Sequence, residues 1–161
     1  MRSPLSDTPG DLLGFERSGE VPPQETEQGM EQKIVVNMRS GIVHKGITHD
    51  FSPKQDAFHV LPAEGGGVPV RVNLNDMKAM FWVKDYLGNR DFIARRDFDP
   101  ARAVEGRRAI VTFTDGETIW GAVTEDDPSA PGFFFVPSDE RDNNVKIFVV
   151  RKWLKELRWV P

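Results

Sequence analysis

One pattern occurs twice in this chain, as KIVVNMRSGIVHKGITHDFSP from Lys33 to Pro53 and as RAIVTFTDGETIWGAVTEDDP from Arg108 to Pro128. In each copy alternating apolar residues, the mark of a half-buried strand, run into a turn glycine, Gly41 or Gly116. Asp115-Gly116 is a two-residue hairpin signal whose glycine accepts the positive φ of a tight turn. Five residues later a second glycine, Gly46 or Gly121, leaves a gap in the middle of the next strand. A strand bends or bulges at such a gap, as a small barrel requires where one strand serves two sheets.

The correspondence continues beyond the pattern. At a spacing of 75, Val36, Gly41, Gly46, Pro53, Phe58 and Pro62 fall on Val111, Gly116, Gly121, Pro128, Phe133 and Pro137. After a two-residue insertion in the loop 138–144, Val68, Val72, Lys78, Trp82 and Val83 fall on Val145, Val149, Lys155, Trp159 and Val160. These eleven identities predict an internal duplication. The expected fold is mainly β: two tandem five-stranded barrels, repeat A over 33–83 and repeat B over 107–161, joined by a packed connector, 84–106. In repeat A the strands are expected at 34–39, after the turn at Gly41, at Ala57–Pro62, at Val68–Val72 and at Lys78–Val83, with one helical turn over Asn73–Met77.

Residues 1–32 carry seven acidic and two basic residues and few aromatics, the composition of a disordered acidic leader. They hold −5 of the net charge of −4, so the body is close to neutral. Affinity for a phosphate backbone rests on Lys and Arg neutralising charge, and this balance argues against a nucleic-acid partner. The chain has no cysteine, no apolar run long enough for a membrane span and no secretion signal, so the expected compartment is the cytoplasm.

Comparing the two copies substitutes for an alignment. Four outward positions of repeat A are polar, Lys45, His59, Arg71 and Asp76, and their counterparts in repeat B are Trp120, Phe134, Phe148 and Trp153. Covering one large apolar side chain is worth roughly 1.5–3 kcal/mol, so these four represent about 6–12 kcal/mol. A soluble chain does not leave such a surface in water. Either the rest of the chain covers it, or it binds a partner, another protein or a second copy of the same chain.

The candidates for chemistry are few. His44, His49 and His59 correspond to Ile119, Thr124 and Phe134, so the repeated architecture does not need them. His44 falls at an inward position, while His49 and His59 can approach one another on adjacent strands. Two ligands do not make a catalytic zinc site, and no metal is expected. Gly65-Gly66-Gly67 lacks the Lys-Ser/Thr and the helix of a phosphate loop. With no nucleophile motif either, neither a cofactor nor an enzymatic activity is expected. Arg95-Arg96 suits bidentate phosphate binding, although Asp91, Asp97 and Asp99 lie beside it and can hold it in a charge network.

The order strand, turn glycine, second glycine five residues on, then an extended return resembles the Sm-like fold, a five-stranded SH3-like barrel. MRSGIVHKGITHDFS and TFTDGETIWGAVTEDD carry the resemblance. The duplicated arrangement is similar to tandem-barrel proteins of bacteria. The resemblance implies an RNA-contacting pair after the second strand, which falls on Ser52 and Asp56 in repeat A and on Asp127 and Pro131 in repeat B. Neither copy has the Arg-Gly that the family places before its last strand. A cyclic-dinucleotide receptor of the PilZ type shares the small barrel, an Arg-rich stretch and an Asp-x-Ser, here Asp50-Phe51-Ser52, though without the trailing glycine and with the arginines after it. The expected role is thus a non-enzymatic protein-interaction or regulatory module, with an Sm-like nucleic-acid binder and a PilZ-like cyclic-dinucleotide effector as the alternatives.

Overall fold

Each stretch with period-two alternation forms a strand in the computed structural model, which describes residues 32–65, 67–88, 92–93, 96–98 and 105–161. The leader expected over 1–32 lies outside the described residues except for Gln32, and so does much of the 84–106 connector. The first half contains β1 (Lys33–Met38), β2 (Val43–Ile47), β3 (Ala57–Pro62), β4 (Val70–Asn73), a short 3₁₀ turn at Leu74–Asp76, and β5 (Met77–Val83). The second half repeats the series as β6 (Arg107–Phe113), β7 (Thr118–Glu125), β8 (Gly132–Pro137), β9 (Asn144–Val150), a 3₁₀ turn at Arg151–Trp153, and β10 (Leu154–Trp159). The fourth strand begins two residues later than expected, because Pro69 has no N–H to give to a ladder. Among the described residues no helix is long and apolar enough to cross a membrane.

The expectation of two separate barrels needs correction. The strands form one continuous antiparallel sheet of ten, in the order β10-β6-β7-β8-β9-β5-β1-β2-β3-β4. The join is a seam between β9 and β5, with Ile147 opposite Phe81, Phe148 opposite Met80, and Val149 opposite Ala79. Both strands are apolar on both faces, the pattern of strands buried on two sides. Successive side chains point to opposite faces, and the seam therefore feeds two cores. Ala79, Phe81, Val83, Ile147 and Val149 pack with Val111, Phe113, Phe133 and Phe135 of the second half. Met80, Phe148 and Val150 pack with Ile34, Val36, Phe58, Val60 and Val72 of the first.

Within this sheet the halves match residue for residue. Ile34 faces Gly46 as Ala109 faces Gly121. Val36 faces Met80 as Val111 faces Leu157, and Phe58 faces Val72 as Phe133 faces Val149. Hydrogen bonds outside the ladders recur as well: Arg39 N–H donates to Asp76 O as Thr114 N–H does to Trp153 O, and Leu74 N–H to Asp56 O as Arg151 N–H does to Pro131 O. Gly41 and Gly116 take φ of 98° and 95° at equivalent turns, a region that disfavours residues with a Cβ. A Cβ added at Gly46 or Gly121 would overlap the carbonyl oxygen of Leu61 or Val136 on the neighbouring strand. Backbone approach, not turn geometry, requires these two glycines.

Candidate functional site

Three of the four rings singled out in the second half lie against the first half. Phe148 is fully buried, its ring 5.2 Å from both Phe51 and Phe134. Phe134 is half-buried and lies 5.9 Å from Trp82. Trp153, also half-buried, donates its Nε1–H to Asn75 O at 3.1 Å and carries the Arg39 guanidinium 4.4 Å above its ring. Trp120 is placed differently, beside the connector, with Phe98 5.4 Å away.

The connector is held at its start from both sides. Tyr86 spans β2 of the first half, its hydroxyl donating to Gly46 O at 2.8 Å while its own carbonyl accepts from Lys45 Nζ at 3.1 Å. The 138–144 loop, which carries the two-residue insertion, holds the neighbouring backbone. Lys84 N–H donates to Asn143 O at 2.9 Å. The Asn143 side chain accepts from Asp85 N–H at 3.0 Å and donates to Asp85 O at 2.8 Å. Further along, Phe92 lies under the Arg141 guanidinium, 5.7 Å from its ring centre.

A cleft of about 130 Å³ opens between connector and second half. Ile93 and Arg96 line it from the connector, Thr118 to Trp120 from β7, Ser138, Asp139, Asp142 and Asn144 from the inserted loop, and Ile147 from β9. Asp139 is 4% exposed and accepts two parallel hydrogen bonds from Arg141, through Nε and Nη2, each 3.0 Å. Burial pushes the Asp142 carboxyl above its ordinary value, the Asn144 N–H opposes that rise, and the Asp139 charge adds to it. The cleft thus combines apolar walls with two carboxylates, the second less settled as an anion than a free aspartate. Composition and periodicity did not single out these two aspartates. Their signal was the insertion itself, the one place where the halves differ in length.

The connector also bears exposed apolar groups: Leu87 is 85% exposed and Ile93, at the cleft, 83%. Of the two arginines considered for anion binding, Arg95 lies outside the described residues and Arg96 is exposed at the cleft rim.

The histidines do not converge. His44 is half-buried opposite Val36. His49 is exposed, and His59 meets Asp50 instead, with Nδ1 2.8 Å from Oδ2 and its backbone N–H donating to Oδ1 at 2.9 Å. Those two bonds, the backbone one first, hold the Asp50 carboxyl below its ordinary value. Among the described residues no group of three or more His, Cys, Asp or Glu side chains is placed to hold a metal ion. Asp127, a position implied by the Sm-like resemblance, closes a turn by accepting from the N–H and hydroxyl of Ser129 at 2.9 and 2.7 Å.

Residues 30–161 match the family of unknown function DUF6982. No curated protein matches the chain, and no solved structure does.

Proposed function

The chain belongs to the DUF6982 family, and from that premise we propose that it is a cytoplasmic, non-enzymatic interaction module: two Sm-like barrels descended from one, fused through a shared sheet, that grip another protein at the connector cleft. The matching registers and loop hydrogen bonds of the halves support the duplication. The cleft's size carries the functional reading. Sites for small molecules and cofactors run to roughly 300–1,000 Å³, whereas about 130 Å³ holds one side chain of a partner. Its lining suits a lysine or arginine, the aliphatic stem on Trp120, Ile119 and Ile93 and the cationic head toward Asp139 and Asp142. A cyclic dinucleotide would need several times that space.

The test uses Ile93→Asp, a change at an exposed position that leaves the sheet untouched. A protein captured from native cells by the wild-type chain, and identified by mass spectrometry, is expected to be lost with the variant at unchanged melting temperature. Equal recovery by both chains would refute the reading.

A further inference from the structure

The seam joins unlike partners, the fourth strand of the second half to the fifth strand of the first. Each has a counterpart that ends the sheet. β4 is equivalent to β9 and β10 to β5, and among the described residues β4 and β10 are the two outermost strands of the sheet. A joint between different surfaces, with both of those surfaces present again at the ends, propagates into rings or filaments unless it is stopped.

Four seam positions decide the matter. Ala79 and Phe81 on β5, and Phe148 and Val150 on β9, are all buried. Their counterparts, 77 residues away, are Glu156 and Arg158 on β10 and Arg71 and Asn73 on β4, all exposed. On the faces that point into each half's own core the strands agree, with Val72 matching Val149 and Trp82 matching Trp159. The exchange of polarity is therefore confined to the faces that the seam covers. A second copy docking edge to edge would carry the charges of Arg71, Glu156 and Arg158 out of water into apolar surroundings, which is strongly unfavourable. Pro69, in place of Lys146, also withholds an N–H beside the β4 edge.

We infer that these two outer edges are matched but blocked halves of the seam. Arg71, Asn73, Glu156 and Arg158 keep the chain monomeric, and seam residues at those positions make it add to a second copy of itself, head to tail. This rests on the strand registers and stands apart from the partner reading of the cleft.

Light scattering after size-exclusion chromatography tests it on the full chain. The wild type is expected at its monomer mass, 18.2 kDa, at every concentration. Arg71→Phe with Asn73→Val opens one edge, and Glu156→Ala with Arg158→Phe opens the other. Each double variant alone is expected to stay monomeric, while an equimolar mixture forms a dimer of twice the mass. All four changes in one chain give a concentration-dependent series. Circular dichroism and melting establish that the variants fold. If an edge pair does not fold, Arg71→Phe mixed with Arg158→Phe serves instead. A wild type whose mass rises with concentration overturns the inference, and so does a mixture of folded edge variants that stays monomeric.

Discussion

Lys78 is the side chain that most directly ties one half to the other at the turn end of the seam. Its ammonium lies 2.8 Å from Asp115 Oδ2 and also donates to Glu117 Oε1, both on the β6–β7 turn, and it sits 4.6 Å from the centre of the Phe113 ring. Burial alone would lower its pKa, but the hydrogen bonds to Asp115 and Glu117 outweigh that and raise it. The same contact, through the hydrogen bond from Lys78 first and the Glu117 N–H second, holds Asp115 below its ordinary 3.8. A carboxylate with a depressed folded-state pKa contributes stability above its unfolded value and loses it as pH falls through the folded one. Lys78→Met keeps the apolar stem on Phe113 and removes the charge. Because Asp115 is largely exposed, the expected cost at neutral pH is only about 1 kcal/mol. Urea denaturation across pH should show that gap closing as acid protonates Asp115. A gap that persists in acid would mean that the stem, not the ion pair, does the holding.

At the scale of strands, the seam explains why β5 and β9 carry apolar residues on both faces while β4 and β10 alternate. Phe148 sits where this matters most: it belongs to a strand of the second half, yet its ring lies in the core of the first. Phe148→Ala should cost about 3–5 kcal/mol. Hydrogen exchange should then quicken in β1, β3 and β4 as much as in β8 and β9. Quickening confined to the second half would contradict the shared core. Most strand positions were legible from alternation, and the bends from Gly46 and Gly121, because both signals are local. The seam was less so. Phe148 and Trp153 read as an outer surface when each barrel is counted alone, since alternation tells which side a residue is on and not what stands there. The runs MKAMFWV and KIFVV did hold the clue, because a strand that is apolar on both faces must be covered twice. The cleft was legible only in part: Trp120 stood out against Lys45, whereas Asp139 and Asp142 lie in the loop where the spacing changes and no single register pairs them.

For the whole molecule the question is whether two similar halves behave as two folding units. Each half contributes five neighbouring antiparallel strands to the sheet, which on that ground alone could fold by themselves. The cores argue otherwise. The first core receives Phe134, Phe148, Val150 and Trp153 from the second half, and the second receives Ala79, Phe81 and Val83 from the first. Cutting between them exposes all seven side chains at once. At roughly 1.5–3 kcal/mol for a large buried side chain, their loss is comparable to the 5–15 kcal/mol by which a whole domain is stable. Neither fragment retains a margin. Residues 33–83 and 105–161, expressed separately, should therefore lack a cooperative melt by circular dichroism. The full chain should unfold in one calorimetric transition whose measured enthalpy equals its van't Hoff enthalpy. Two resolved transitions, or a fragment that melts cooperatively alone, would show that the seam is only contact between finished barrels. A single transition would mean that the two halves form one larger cooperative body, with the charges of Arg71, Glu156 and Arg158 on its outermost described strands.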